Sequence, residues 1–241
     1  VRTAVGAWLL WAASLAGAHD LITAEAAERY LSQASAQSRL IASGAPAAER
    51  AAASYALGAL LDEIRELLNR DLASHGRVQG LATTQLLAEL AGRGIVLEVS
   101  PRLRRYPANL GYYRDALRLS PDGPVAANAS LRLLQGYFYD SFDEDPLRPR
   151  DQSWSTLVAQ LRLGERFLAM APAHPEREEA QFILLVHYAQ AARSAPDAAQ
   201  RRHYAQRTHQ AAAEFLSRYA DSLRAAAVPV LVSGADPGSG P

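Results

Sequence analysis

Leu57-Gly58-Ala59-Leu60-Leu61-Asp62-Glu63-Ile64-Arg65-Glu66-Leu67-Leu68-Asn69-Arg70-Asp71-Leu72 is the stretch whose reading decides the fold class. Leu57, Leu60, Leu61, Ile64, Leu67, Leu68 and Leu72 recur every three or four residues, which lines one face of a helix. Asp62, Glu63, Arg65, Glu66 and Arg70 fall opposite. A strand would alternate at every second residue, and this segment does not. The pattern predicts a long helix, stopped at Gly76, that packs through its leucine face only.

Working back toward the N-terminus, Gly44-Ala45-Pro46 ends one helix and begins the next, so an antiparallel helix hairpin is expected. Thr23 is the expected N-cap of the earlier helix, with Glu25 suited to its first turn. Ala27, Tyr30, Leu31, Ala34 and Ile41 supply its helical spacing. Before it stand Arg2, an apolar run over 4–15 and Ala16-Gly17-Ala18. That order reads as a secretory signal peptide over 1–18, cut after Ala18. The run falls short of the roughly 20 apolar residues that a membrane span needs. A mature protein in the periplasm or outside the cell is therefore expected, with no membrane span.

Working forward, a further helix is expected between Gly80 and Ala91, ended by Gly92-Arg93-Gly94. Residues 95–99 are the one β-like stretch and read as an extended linker, since a lone strand has no partner. The expected division is 19–100 for N-terminal helical hairpins, 101–232 for a helical repeat region and 233–241 for a disordered tail rich in Gly, Pro and Ser.

The second region repeats itself. Ala116-Leu117-Arg118-Leu119-Ser120-Pro121 runs into a new helix at Ala127. Phe167-Leu168-Ala169-Met170-Ala171-Pro172 does the same 51 residues on, and Phe215-Leu216-Ser217-Arg218-Tyr219-Ala220-Asp221-Ser222 does so after a further 48. Each copy is a helix end, a turn and a helix start, the mark of a stacked hairpin unit. These junctions resemble tetratricopeptide repeats, especially the exported kind of BamD-like outer-membrane assembly proteins. The period is longer than the family's 34 or so residues, and its Trp-Leu-Gly-Tyr signature is absent. The resemblance implies an all-α solenoid of antiparallel hairpins that binds a partner and catalyses nothing.

Composition narrows the chemistry. The 241 residues carry 25 basic and 25 acidic side chains, and every basic one is arginine. A net charge of zero provides no global field for nucleic acid. The lack of cysteine excludes disulfides, thiolate metal sites and cysteine nucleophiles. No signature of a metalloprotease, serine hydrolase, P-loop or dinucleotide fold occurs.

Three ligand readings remain. Aromatic residues crowd around a long acidic loop over 139–151, and Tyr112, Tyr137, Tyr139, Phe142 and Trp154, with Arg104 and Arg105, are the expected surface for a protein or peptide. The loop acids Asp140, Asp143 and Asp145 offer oxygens to calcium, against a plain solvated loop. The alternative function is copper binding. Cleavage after Ala18 would expose His19 as an N-terminal amine and imidazole, with His75, His174 or His187 as further ligands. His187, in an apolar run, is otherwise expected to be a hydrogen-bonded core residue. Glu178 and Glu179 are expected to face solvent at a helix start.

Overall fold

Thr23 caps the first helix as predicted: its hydroxyl accepts the Ala26 amide hydrogen at 3.1 Å, with Glu25 in the first turn. The computed structural model describes residues 21–141 and 153–235. In it α1 (Ala24–Ala42) folds back into α2 (Ala47–His75), and Gly76 closes α2 at φ 70°, a left-handed cap that suits glycine. Then come α3 (Leu81–Gly92), α4 (Gly111–Leu119), α5 (Ala126–Ser141), α6 (Trp154–Met170), α7 (Arg177–Ser194) and α8 (Ala198–Tyr219). A 3-10 turn (Leu223–Ala227) leads into α9 (Val228–Ser233). The fold is all-α. Residues 95–99 belong to no helix or strand, and the isolated bridge beside them joins Ser100 to Arg105. No described helix is long and apolar enough to cross a membrane.

The helices pack as an array. α3 lies against α1, α1 against α2 and α2 against α4, and from α4 to α8 each helix packs on the next. Only α3 breaks chain order, so the linker must run back from α3 to the far side of α2. Asn69 fixes that return: its amide donates to the Tyr106 carbonyl at 3.0 Å, and its carbonyl accepts the Tyr106 amide hydrogen at 2.7 Å.

Apolar clusters follow one another along this array instead of meeting in one centre, as expected where each element packs mainly on its neighbours. Leu57, Leu61, Ile64 and Leu68 of α2 meet Tyr30 of α1 and Leu86 and Leu90 of α3. Tyr113, Ala116, Ala129 and Leu133 form the next cluster between α4 and α5. Phe138, Phe167, Ile183, Val186 and Phe215 carry the last, across α5 to α8.

One expectation for α2 is corrected. It packs through two faces, because Ala51, Ser54 and Gly58 form a small-residue face beside the leucines. A Cβ at Gly58 would stand 2.9 Å from the Tyr113 ring, so only glycine admits α4 this closely. Small residues carry little hydropathy signal, and periodicity alone shows only the leucine stripe.

The repeated junctions coincide bond for bond. Gly123, His174 and Ser222 donate their amides to Ser120, Ala171 and Tyr219 at 3.2, 3.3 and 3.0 Å. Ala126, Arg177 and Ala225 then donate to Gly123, His174 and Ser222 at 3.0, 3.1 and 2.9 Å. The anchor positions Ala116, Phe167 and Phe215 are all fully buried. The spacings of 51 and 48 residues are thus reproduced as backbone geometry.

Candidate functional site

Helix α5 has a groove on each flank. Arg132, Gln135, Gly136 and Tyr139 recur at helical spacing and turn toward α2 and the start of α7. Leu133 and Tyr137, one turn apart, turn toward α4 and α6. The sequence of one helix therefore builds two surfaces of different chemistry.

The first groove, of about 470 Å³, is polar and closely bonded. The Tyr113 hydroxyl donates to Asp62 at 2.6 Å, and Asp62 also pairs with Arg65 at 3.1 Å. Arg132 forks onto Glu176 at 3.1 and 3.2 Å, and Gln135 donates to the same carboxylate at 2.8 Å. The Tyr139 hydroxyl donates to Glu179 at 2.6 Å. Burial, then the Glu179 carboxylate, pushes the Tyr139 phenol up to about 12. Burial, then Asp62, raises the Tyr113 phenol in the same way. Six carboxylates line this groove against two guanidinium groups, Arg65 and Arg132.

The same clamp recurs elsewhere. Tyr30 donates to Glu63 at 2.7 Å, and Tyr188 donates to Glu165 at 2.6 Å while accepting from Arg207 at 2.7 Å. In every case the phenol and carboxylate belong to different helices. These bonds tie the packed helices together.

The second groove, of about 630 Å³, is apolar at its floor. Leu133 is buried there, and Leu117, Tyr137 and Leu163 are half-buried. Arg114, Arg162 and Arg166 line its rim, with no acidic residue among the described lining. Arg166 bonds to the Pro121 carbonyl and to Asp122, the latter at 3.1 Å. The exposed side chains of Arg114 and Arg162 have no ion-pair or hydrogen-bond partner among the described residues. Gln160 in the lining is 2% exposed, and its Oε1 finds no donor among the described residues. Past Arg114 and Tyr137 the groove continues into a recess of about 430 Å³ beside Val96, Leu97 and Glu98.

The residues expected from sequence are distributed over these surfaces. Tyr137 lines the apolar groove and Tyr139 the polar one. Arg105 holds the end of α5, donating to the Tyr139 carbonyl at 2.5 Å and to Asp140 at 3.3 Å. Arg102 adds a bond to the Asp140 carbonyl at 2.9 Å, so two cations cap the negative end of that helix. Arg104 is exposed at φ 51° in the preceding turn. Tyr112 packs on the N-terminal cluster, and Trp154 meets Tyr204 edge-on at 5.6 Å. Phe142, Asp143, Asp145 and His19 lie outside the described residues.

Asp140 is engaged by the protein itself: its second oxygen accepts the Ala108 amide hydrogen at 3.0 Å. Burial raises its carboxyl above the ordinary range, against the pull of that amide and of Arg105. His75 contacts Asp71 at 2.8 Å, and His174 contacts Asn128 at 3.1 Å. No group of three metal-binding side chains occurs among the described residues.

Two expectations fail here. His187 is buried but not hydrogen-bonded: neither ring nitrogen has a partner among the described residues, and Phe138 meets it edge-on at 5.7 Å. Phe138 offers it a ring edge, and burial alone supplies neither a donor nor an acceptor. Glu178 and Glu179 are paired rather than solvated. Glu178 accepts from Ser222 at 2.6 Å and Arg224 at 3.2 Å, and Glu179 accepts from Tyr139. Their partners lie some forty residues away in sequence, out of reach of a local reading. Arg114 and Arg162 were also missed; four residues from Arg118 and from Arg166, each reads as one more solvated charge.

No protein-family model, curated protein or solved structure matches this chain.

Proposed function

We propose that this chain is an exported, non-catalytic helical-repeat protein that binds a segment of a partner protein in the groove between α4, α5 and α6. The observation that carries the reading is the preformed apolar floor of Leu117, Leu133, Tyr137 and Leu163 beneath an arginine rim. A concave apolar site with a few polar groups at its edge is the ordinary form of a binding pocket. The floor is already assembled from three helices, so a ligand would meet it without ordering it first. Support for a tetratricopeptide-like architecture comes from the backbone bonds that recur at three junctions. Export rests on the signal-like residues 1–18, and the mature chain then begins at His19.

A photo-crosslinking residue at Ala159, exposed in the groove, tests the reading in living cells, with Glu28 on α1 as the outside control. The expected result is a discrete protein adduct from position 159 that Tyr137→Ala abolishes. Adducts of equal strength from both positions, or none from 159, contradict it.

A further inference from the structure

We infer that the partner segment in this groove is an amphipathic peptide whose apolar side chains are flanked by carboxylates, an inference that rests on the proposed groove and names its ligand chemistry. The argument is charge complementarity over an apolar floor. Three arginines from two helices line the groove, and no carboxylate joins them among the described lining. Asp122 answers only Arg166. The side chains of Arg114 on α4 and Arg162 on α6 have no partner among the described residues. Across α5, by contrast, Arg132 is bonded to Glu176, and Arg65 is paired with Asp62.

A guanidinium group presents a planar fork that fits a carboxylate through two hydrogen bonds. A carboxylate brought to Arg114 or Arg162 gains such a bond without breaking one inside the protein. A basic segment would meet like charge on both sides, which selects against it. The leucine and tyrosine floor requires apolar side chains between the acids, because polar groups laid there would lose water without replacement. Glu98 lies beyond Arg114 in the adjoining recess, so the ligand's carboxylates belong within the arginine rim and not in that recess.

Fluorescence anisotropy with the full mature chain tests this. The probe is a labelled peptide with a leucine stripe flanked by glutamates; companions carry glutamine or arginine at the flanks. The glutamate peptide is expected to bind about tenfold tighter than the glutamine one. Arg114→Gln with Arg162→Gln should bring the two to equal affinity, while Tyr137→Ala weakens both. Both arginines are exposed, so the double variant should keep the wild-type melting temperature. Equal binding of glutamate and glutamine peptides, with Tyr137 dependence intact, overturns the acidic assignment and leaves the groove standing. Binding that ignores Tyr137→Ala, or no binding of any peptide, overturns both. Preferential capture of phosphatidylglycerol vesicles over every peptide likewise overturns the peptide assignment.

Discussion

The two flanks of α5 use charge in opposite ways. On the α2 and α7 side, carboxylates and phenols from different helices satisfy one another, and the groove is closed to new partners by its own bonds. On the α4 and α6 side, the Arg114 and Arg162 side chains stand unpaired among the described residues, over leucine and tyrosine. A partner entering the first groove must break protein–protein bonds before it makes any. A partner entering the second covers apolar surface and meets free cations. Richness in charged residues is therefore a poor guide to a binding face; charges left unanswered are the better one.

Acid gives the largest expected effect and sets where the comparison can be made. Burial lowers His187 from 6.5 to about 3. The unfolded chain then takes up a proton below about 6.5 that the folded chain refuses, so folding stability is full above that pH and falls as pH drops toward 3. The loss should reach several kcal/mol at the acid end. Urea titrations across that range should show it, and His187→Leu should remove most of it. A slope unchanged in the variant would place the acid sensitivity elsewhere.

Above that range the two grooves separate. Tyr113→Phe removes a buried hydroxyl that donates to the Asp62 carboxylate, and should destabilise the fold by about 1.5–3 kcal/mol in denaturant. Arg132→Ala breaks the fork to Glu176, and because both side chains remain about a third exposed, solvent screening holds the expected loss to about 1 kcal/mol. Arg114→Ala and Arg162→Ala should each change stability by less than about 0.5 kcal/mol while weakening partner binding. Stability losses of equal size on both flanks would erase the distinction.

Sequence showed helices and turns well and contacts between helices poorly. The leucine stripe of α2, the cap at Thr23, the stop at Gly76 and the three repeated junctions are local signals, each readable within a few residues. The second face of α2 was hidden because it is made of Ala51, Ser54 and Gly58, which hydropathy does not mark. Tyr137 and Tyr139 were recognisable as interesting, yet they lie two residues apart and so face different grooves. Which charges pair was not legible at all. Tyr139 meets Glu179 across 40 residues and Arg132 meets Glu176 across 44, and only packing decides it.

Hydrogen exchange read by mass spectrometry, with and without the glutamate-flanked peptide, tests the central claim most directly. The account predicts new protection in the segments around 114–117, 133–137 and 155–166, with none around 62–66 or 176–179. Protection confined to the 62–66 and 176–179 segments would contradict it.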